Sequence, residues 1–180
     1  MRTWKTVSKT PILKFGKFLT VENHVVELPD GRVIEDWAWL VTPDFVNVVA
    51  ITPEGRFVVF QQVKYGLQGD TLAVVGGFIE PGEDPLAAAQ RELLEETGYE
   101  AGQWTSLGQY RVDPNRGAGT GFLFMAQAAR AVALPVVDDL EEQHLLTLSL
   151  AEVEEALLAG MFKSMAWTTN LALALLHLKR

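Results

Sequence analysis

The sequence of 180 residues predicts an α+β fold, a mixed sheet with helices packed on its faces, and three observations carry that expectation. β-Branched and aromatic residues dominate from Ile12 to Val63 and are broken by turn sequences, the pattern of consecutive strands. At Asp84 the apolar period changes to that of a helix. After a further set of strands the chain closes with two segments of helical spacing. Strands and helices therefore do not alternate as a doubly wound parallel sheet requires.

Each element has a local reason. Pro29-Asp30-Gly31 and Pro53-Glu54-Gly55 are turn sequences that divide the first run into two hairpins. Thr71 to Ile79 reads as one short apolar strand containing Gly76-Gly77. Asp84 can cap a helix, Pro85 suits a first turn and Gly98 suits an end, which predicts a helix over 85–97. Strands are expected at Gln103 to Val112, Phe122 to Ala128 and Leu145 to Leu148, with a glycine-rich loop from Asp113 to Gly121 between the first two. Helices are expected from Leu150 to Ala159 and from Ser164 to Leu178.

Composition narrows the function classes. Apolar residues are 48% of the chain, which excludes a disordered or fibrous protein. A formal net charge of -8 argues against nucleic acid or an anionic membrane as partner, because both are held by Lys and Arg. With no cysteine there is no disulfide framework, thiolate nucleophile or zinc-thiolate site. The polar start, Met1 to Thr10, lacks the apolar centre of a secretory signal, so a cytoplasmic location is the expectation.

The chemistry is concentrated on the helix after Asp84. Positions i, i+3 and i+4 share a helix face, so Glu92, Glu95 and Glu96 form one acidic stripe. Like charges four apart cost about 0.2 to 0.5 kcal/mol per pair, and glutamates in a last turn oppose the helix dipole by about 0.3 to 1 kcal/mol each. A bound divalent cation reverses both terms, and oxygen-only ligands select a hard ion such as Mg²⁺. The bland alternative is a solvated glutamate face.

The residues around the stripe decide between these. Gly77 is followed after five residues by Glu83, and after seven more by Arg91-Glu92-Leu93-Leu94-Glu95-Glu96-Thr97-Gly98-Tyr99. This resembles the Nudix box, G-x5-E-x7-R-E-U-x-E-E-x-G-U with U a bulky apolar residue, with Tyr99 aromatic where an aliphatic is usual. The resemblance implies a Nudix-type α/β/α sandwich over 43–180 with an N-terminal antiparallel β layer over 1–42. It implies that Glu92, Glu95 and Glu96 hold Mg²⁺, with Mn²⁺ as a substitute, and that the Gly76 carbonyl adds a ligand. Glu83 and Arg91 are expected to form a buried ion pair that holds the loop against the helix, and Gly77 to supply backbone freedom.

Within the family the chain looks like the ADP-ribose pyrophosphatase branch. The stretch "VVFQQVKYG" is similar to that branch's segment ending in Q-Y-R, and Pro114 falls near the proline associated with ADP-ribose hydrolases. Two departures stand against this: "LAVVGG" replaces L-E-L-P-A-G, putting Ala73 and Val75 where glutamate and proline are usual, and "DPNRGAGTG" replaces the S-P-G loop. The resemblance implies hydrolysis of a small nucleotide sugar by a homodimer built through the N-terminal strands. Phe18 and Trp37, or Trp39, are the expected base platforms, and Lys64 and Arg116 the phosphate contacts. Within Asp138 to Glu142, Glu141 and Glu142 are the candidates for activating water. GDP-sugars, dinucleotide polyphosphates and a non-catalytic nucleotide-sugar sensor are the other readings. An isoprenoid diphosphate isomerase looks for a cysteine that this chain lacks.

Overall fold

The structure is a computed structural model that describes residues 1–136 and 142–180. The elements in chain order are β1 (Lys5–Phe15), β2 (Leu19–Glu27), β3 (Val33–Val41), β4 (Phe45–Ile51), β5 (Phe57–Val63), β6 (Asp70–Ala73), β7 (Val75–Phe78) and α1 (Pro85–Thr97). They continue with β8 (Tyr99–Glu100), β9 (Gln103–Asp113), β10 (Gly117–Gln127), β11 (Arg130–Ala131), β12 (Gln143–Leu148), α2 (Leu150–Leu158) and α3 (Met165–Leu178). Two compact units divide the chain. One comprises Met1–Asp44 with Tyr110–Thr120, the other Phe45–Gln109 with Gly121–Arg180.

The first unit is an antiparallel meander. β1 pairs with β2 from Lys5↔Glu27 to Phe15↔Leu19, and β2 pairs with β3 from Thr20↔Val41 to Glu27↔Val33. Strand structure begins at Lys5, earlier than the run of apolar residues, because backbone pairing to β2 needs no apolar side chain. The expected long loop after Asp113 is a tight turn. The Asp113 carboxylate accepts the N–H groups of Asn115 and Arg116, and strand structure resumes at Gly117 with left-handed Gly117, Ala118 and Gly119.

The second unit is an α/β/α sandwich. β10 pairs parallel to β4 from Gly121↔Phe45 to Gln127↔Ile51, and β12 pairs antiparallel to β5. β4 and β5 pair at Ala50↔Val58 and Ile51↔Phe57 and then diverge, with β6 running along β5 and β7 along β4. The segment read as one strand from Thr71 is thus two, because the chain changes partners at Val74. Val46, Val48, Ala73 and Val75 pack against Ala88, Ala89 and Leu93 of α1 on one face. Val49, Leu72 and Val74 pack against Val153 of α2 and Leu171, Ala174 and Leu175 of α3 on the other. Ala73 and Val75 are wholly buried in the first core, so these two departures alter packing.

Candidate active site

The helix is placed by its caps. Asp84 accepts the N–H groups of Leu86 and Ala87 through Oδ1, and Pro85 opens the first turn without a wasted donor. Gly98 ends it in the left-handed conformation at φ 72° and donates to the Leu94 carbonyl. A side chain at Gly98 would also strike the Ala133 carbonyl, since Val132 and Ala133 donate to the Gly98 oxygen. Val136 then donates to the Glu95 carbonyl at 2.8 Å. Val136 therefore lies directly beside the last turn of the glutamate helix.

Two glycines let β7 meet this helix. The Gly76 N–H donates to Glu96 Oε2 at 3.0 Å. At Gly77 an added Cβ would fall on the Glu92 carboxylate, so the absence of a side chain there is what admits Glu92. Gly77 does not appear among the left-handed glycines, which replaces the expected backbone freedom with space as its reason.

Arg91 ties the carboxylates together. Its Nε donates to Glu83 Oε1 at 2.8 Å and its Nη2 to Glu83 Oε2 at 3.0 Å and the Phe78 carbonyl at 3.1 Å. Its Nη1 donates to Glu92 at 2.7 Å and Glu95 at 3.0 Å. The bidentate bond from Arg91, with the Glu80 N–H, lowers the Glu83 carboxyl to about 2. Burial pushes Glu92 above the usual carboxylate range, against the pull of Arg91. Glu83, chiefly, holds Arg91 above its ordinary value. The stripe is thus not left to repel itself, because Arg91 neutralises part of it before any cation arrives.

The donor chemistry fits a hard divalent ion: carboxylates on one helix face beside the backbone of Gly76. Among the described residues no three acidic or histidine side chains already converge as a metal cluster. Glu92 and Glu95 are instead held on Arg91, and Glu96 on the Gly76 N–H.

The remaining candidates are placed as follows. Trp37 donates from Nε1 to the Asn115 carbonyl at 2.8 Å, and Trp4 meets its ring edge-on. Trp39 stacks on His24 at 5.2 Å between centroids, and Gly117 abuts its ring. Phe18 is exposed beneath Lys17 Nζ. Pro114 and Arg116 are exposed in the turn that Asp113 caps, and the Arg116 carbonyl accepts the Leu40 N–H. Lys64 follows β5, where its carbonyl accepts the Leu67 N–H. Glu142 is exposed, with an oxygen 3.7 Å from His144 Nε2, and Glu141 lies outside the described residues. Sequence reasoning missed Asn47, a buried amide facing Gly76 in the β4–β7 register. Its signal was one polar residue in the apolar run "FVNVVAI".

The profile of the NUDIX domain matches residues 41–168, and the chain belongs to that family; it is a Nudix hydrolase. It is similar to an ADP-ribose pyrophosphatase of Bacillus subtilis, 29% identical over 85% of this chain and 80% of that protein. It is also similar to a methanol dehydrogenase activator of Bacillus methanolicus, 36% identical over 61% of this chain and 58% of that protein. A crystal structure of an ADP compounds hydrolase shares the fold at a TM-score of 0.82 and 23% identity, covering 99% of this chain and 96% of that one. No helix among the described residues is long and apolar enough to cross a membrane.

Proposed function

We propose that the chain hydrolyses the diphosphate of ADP-ribose or a related nucleoside diphosphate sugar. Water adds to one phosphorus, the bridging P–O bond breaks, and a nucleoside monophosphate and a sugar phosphate leave. The observation that carries the reading is the face of Glu92, Glu95 and Glu96 set against the Gly76-Gly77 backbone and braced by Arg91. The similarity to the ADP-ribose pyrophosphatase of Bacillus subtilis supports the substrate class. Glu92, Glu95, Glu96 and the Gly76 carbonyl would hold Mg²⁺, or Mn²⁺ in its place. When bound, the ion supplies positive charge for the phosphoryl oxygens, which this acidic chain otherwise lacks.

The protein's own residues do the rest. Arg91 and Glu83 orient the carboxylates, since a guanidinium held at five oxygens cannot swing away. Glu141 or Glu142 accepts the proton of the attacking water on a carboxylate oxygen. Phe18, Trp37 or Trp39 stacks the base, worth about 1 to 3 kcal/mol. Of the three, Trp39 already has one face on His24. Lys64 and Arg116 contact phosphate, and the turn at Pro114 borders the sugar.

The test is kcat/KM for ADP-ribose against GDP-mannose, a diadenosine polyphosphate, a nucleoside triphosphate and a CMP-linked phosphonate under one Mg²⁺ concentration. The phosphonate is included because a CMP-phosphonate hydrolase of Streptomyces rubellomurinus is 27% identical over 81% of this chain. ADP-ribose should lead. A competitor ahead by more than about tenfold, roughly 1.4 kcal/mol in transition-state binding, would replace the substrate assignment. Glu96→Gln should abolish turnover while the protein stays folded, because glutamine still accepts the Gly76 N–H.

A further inference from the structure

The layer between the sheet and α3 holds two amides that the proposed chemistry does not use. Asn47, in β4, is 4% exposed, and Asn170, in α3, is fully buried. Asn47 Nδ2 and both polar atoms of Asn170 lack a hydrogen-bond partner among the described residues. Orphaned interior amides are rare, because a group stripped of water keeps its full desolvation cost.

Parity along β4 sets the direction of Asn47. Val46, Val48 and Ala50 pack toward α1, and Val49 and Ile51 toward α3, so Asn47 faces α3. Asn170 stands next to Leu171 and one turn from Ala174, both in the α3-facing cluster. α3 packs along β4, and its Leu178 lines a common cavity with Ile51. Asn170 and Asn47 therefore face the same buried layer from its two sides, and an unused donor on one complements an unused acceptor on the other.

Asn47 also touches the active site. It pairs with Gly76, and a Cβ there would lie 2.5 Å from Asn47 Oδ1. The Gly76 N–H in turn holds Glu96. We propose that Asn47 and Asn170 form one buried polar unit closed by an internal water, and that Asn47 is a positioning residue that sets the Gly76 peptide and through it the Glu96 carboxylate. A water fits because it accepts from Asn47 Nδ2 and donates to Asn170 Oδ1 at once. The consequence for metal binding rests on the proposed role of Glu96; the consequence for Gly76 does not.

The experiment uses Asn47→Leu, Asn170→Leu and the double variant in the full chain, with Mn²⁺ as probe. Asn47→Leu should weaken Mn²⁺ binding about tenfold, as loss of a supporting neighbour of a ligand does, and speed amide hydrogen exchange at Gly76. It should lower kcat while leaving KM for ADP-ribose nearly unchanged. Asn170→Leu should give part of the Gly76 effect, and the double variant should be no worse than Asn47→Leu. Asn47→Ser, which keeps a donor in less space, should recover much of the lost affinity and serves if the leucine variant does not fold. Unchanged Gly76 exchange in Asn47→Leu, or additive effects of the two substitutions, overturns the proposal. Glu96→Gln separates the readings: if it binds Mn²⁺ as tightly as the wild type, the metal assignment fails, and Gly76 exchange alone decides whether Asn47 acts on the peptide.

Discussion

At the scale of single residues, the neighbouring glycines of β7 are obligatory for different reasons. A Cβ at Gly76 would land on the Val46 carbonyl, which is backbone and cannot yield. Gly76→Ala should therefore lose about 1 to 3 kcal/mol by overpacking, read as a lowered midpoint of denaturant unfolding. A Cβ at Gly77 meets the end of the Glu92 side chain, which can move. Gly77→Ala should cost less stability than Gly76→Ala but lose most of kcat, because Glu92 is the group displaced. Glu83 gives a pH test. Its carboxyl titrates near 2 in the folded chain against an ordinary 4.5, so the pairing with Arg91 stabilises the fold above the unfolded value and fades as pH falls through that window. The stability gap between wild type and Glu83→Gln should be full at neutral pH and close between about 4.5 and 2. A gap that persists at the acid end of acid–urea titrations would show that Glu83 acts by packing.

At the scale of elements, α1 is a helix whose caps matter more than its charges. It has no acidic residue in its first turn and no basic one in its last, so its glutamates face the unfavourable end of the dipole. What holds it is the Asp84 cap, the Gly98 terminus and the burial of Ala88, Ala89 and Leu93. Asp84→Ala should cost about 1 kcal/mol, a fall in Tm of roughly 2 to 4 °C for a chain of this size, with kcat unaffected. A larger loss with a fall in kcat would mean that the cap also sets the register of the glutamate face.

At the scale of the whole molecule, we propose that the N-terminal unit forms a two-fold homodimer. Every residue of β1 is exposed, with Ile12 at 67% and Phe15 at 74% of full accessibility, although the strand is paired on one edge. Its lysines, Lys5, Lys9 and Lys14, also stand out in a chain of net charge -8. Sedimentation at micromolar concentration should give twice the chain mass of 19.9 kDa, and Ile12→Lys with Phe15→Lys should return the monomer. A single-chain mass for the wild type would remove the proposal.

Local chemistry in the sequence was enough for the helix over 85–97 and its caps, and the motif resemblance for the Glu83 to Arg91 pairing and the family, because each depends on residues close together in the chain. The tight turn after Asp113 is made locally by its own carboxylate, whereas the change of partners at Val74 and the early start of β1 were decided by strand pairing between residues apart in the chain, which leaves no local period. The same reason hid Asn47, whereas the reach of Arg91 to Glu92 and Glu95 is made within one helix turn. An amide in an apolar run reads the same whether it faces solvent or a core, and only the packed sheet settles which.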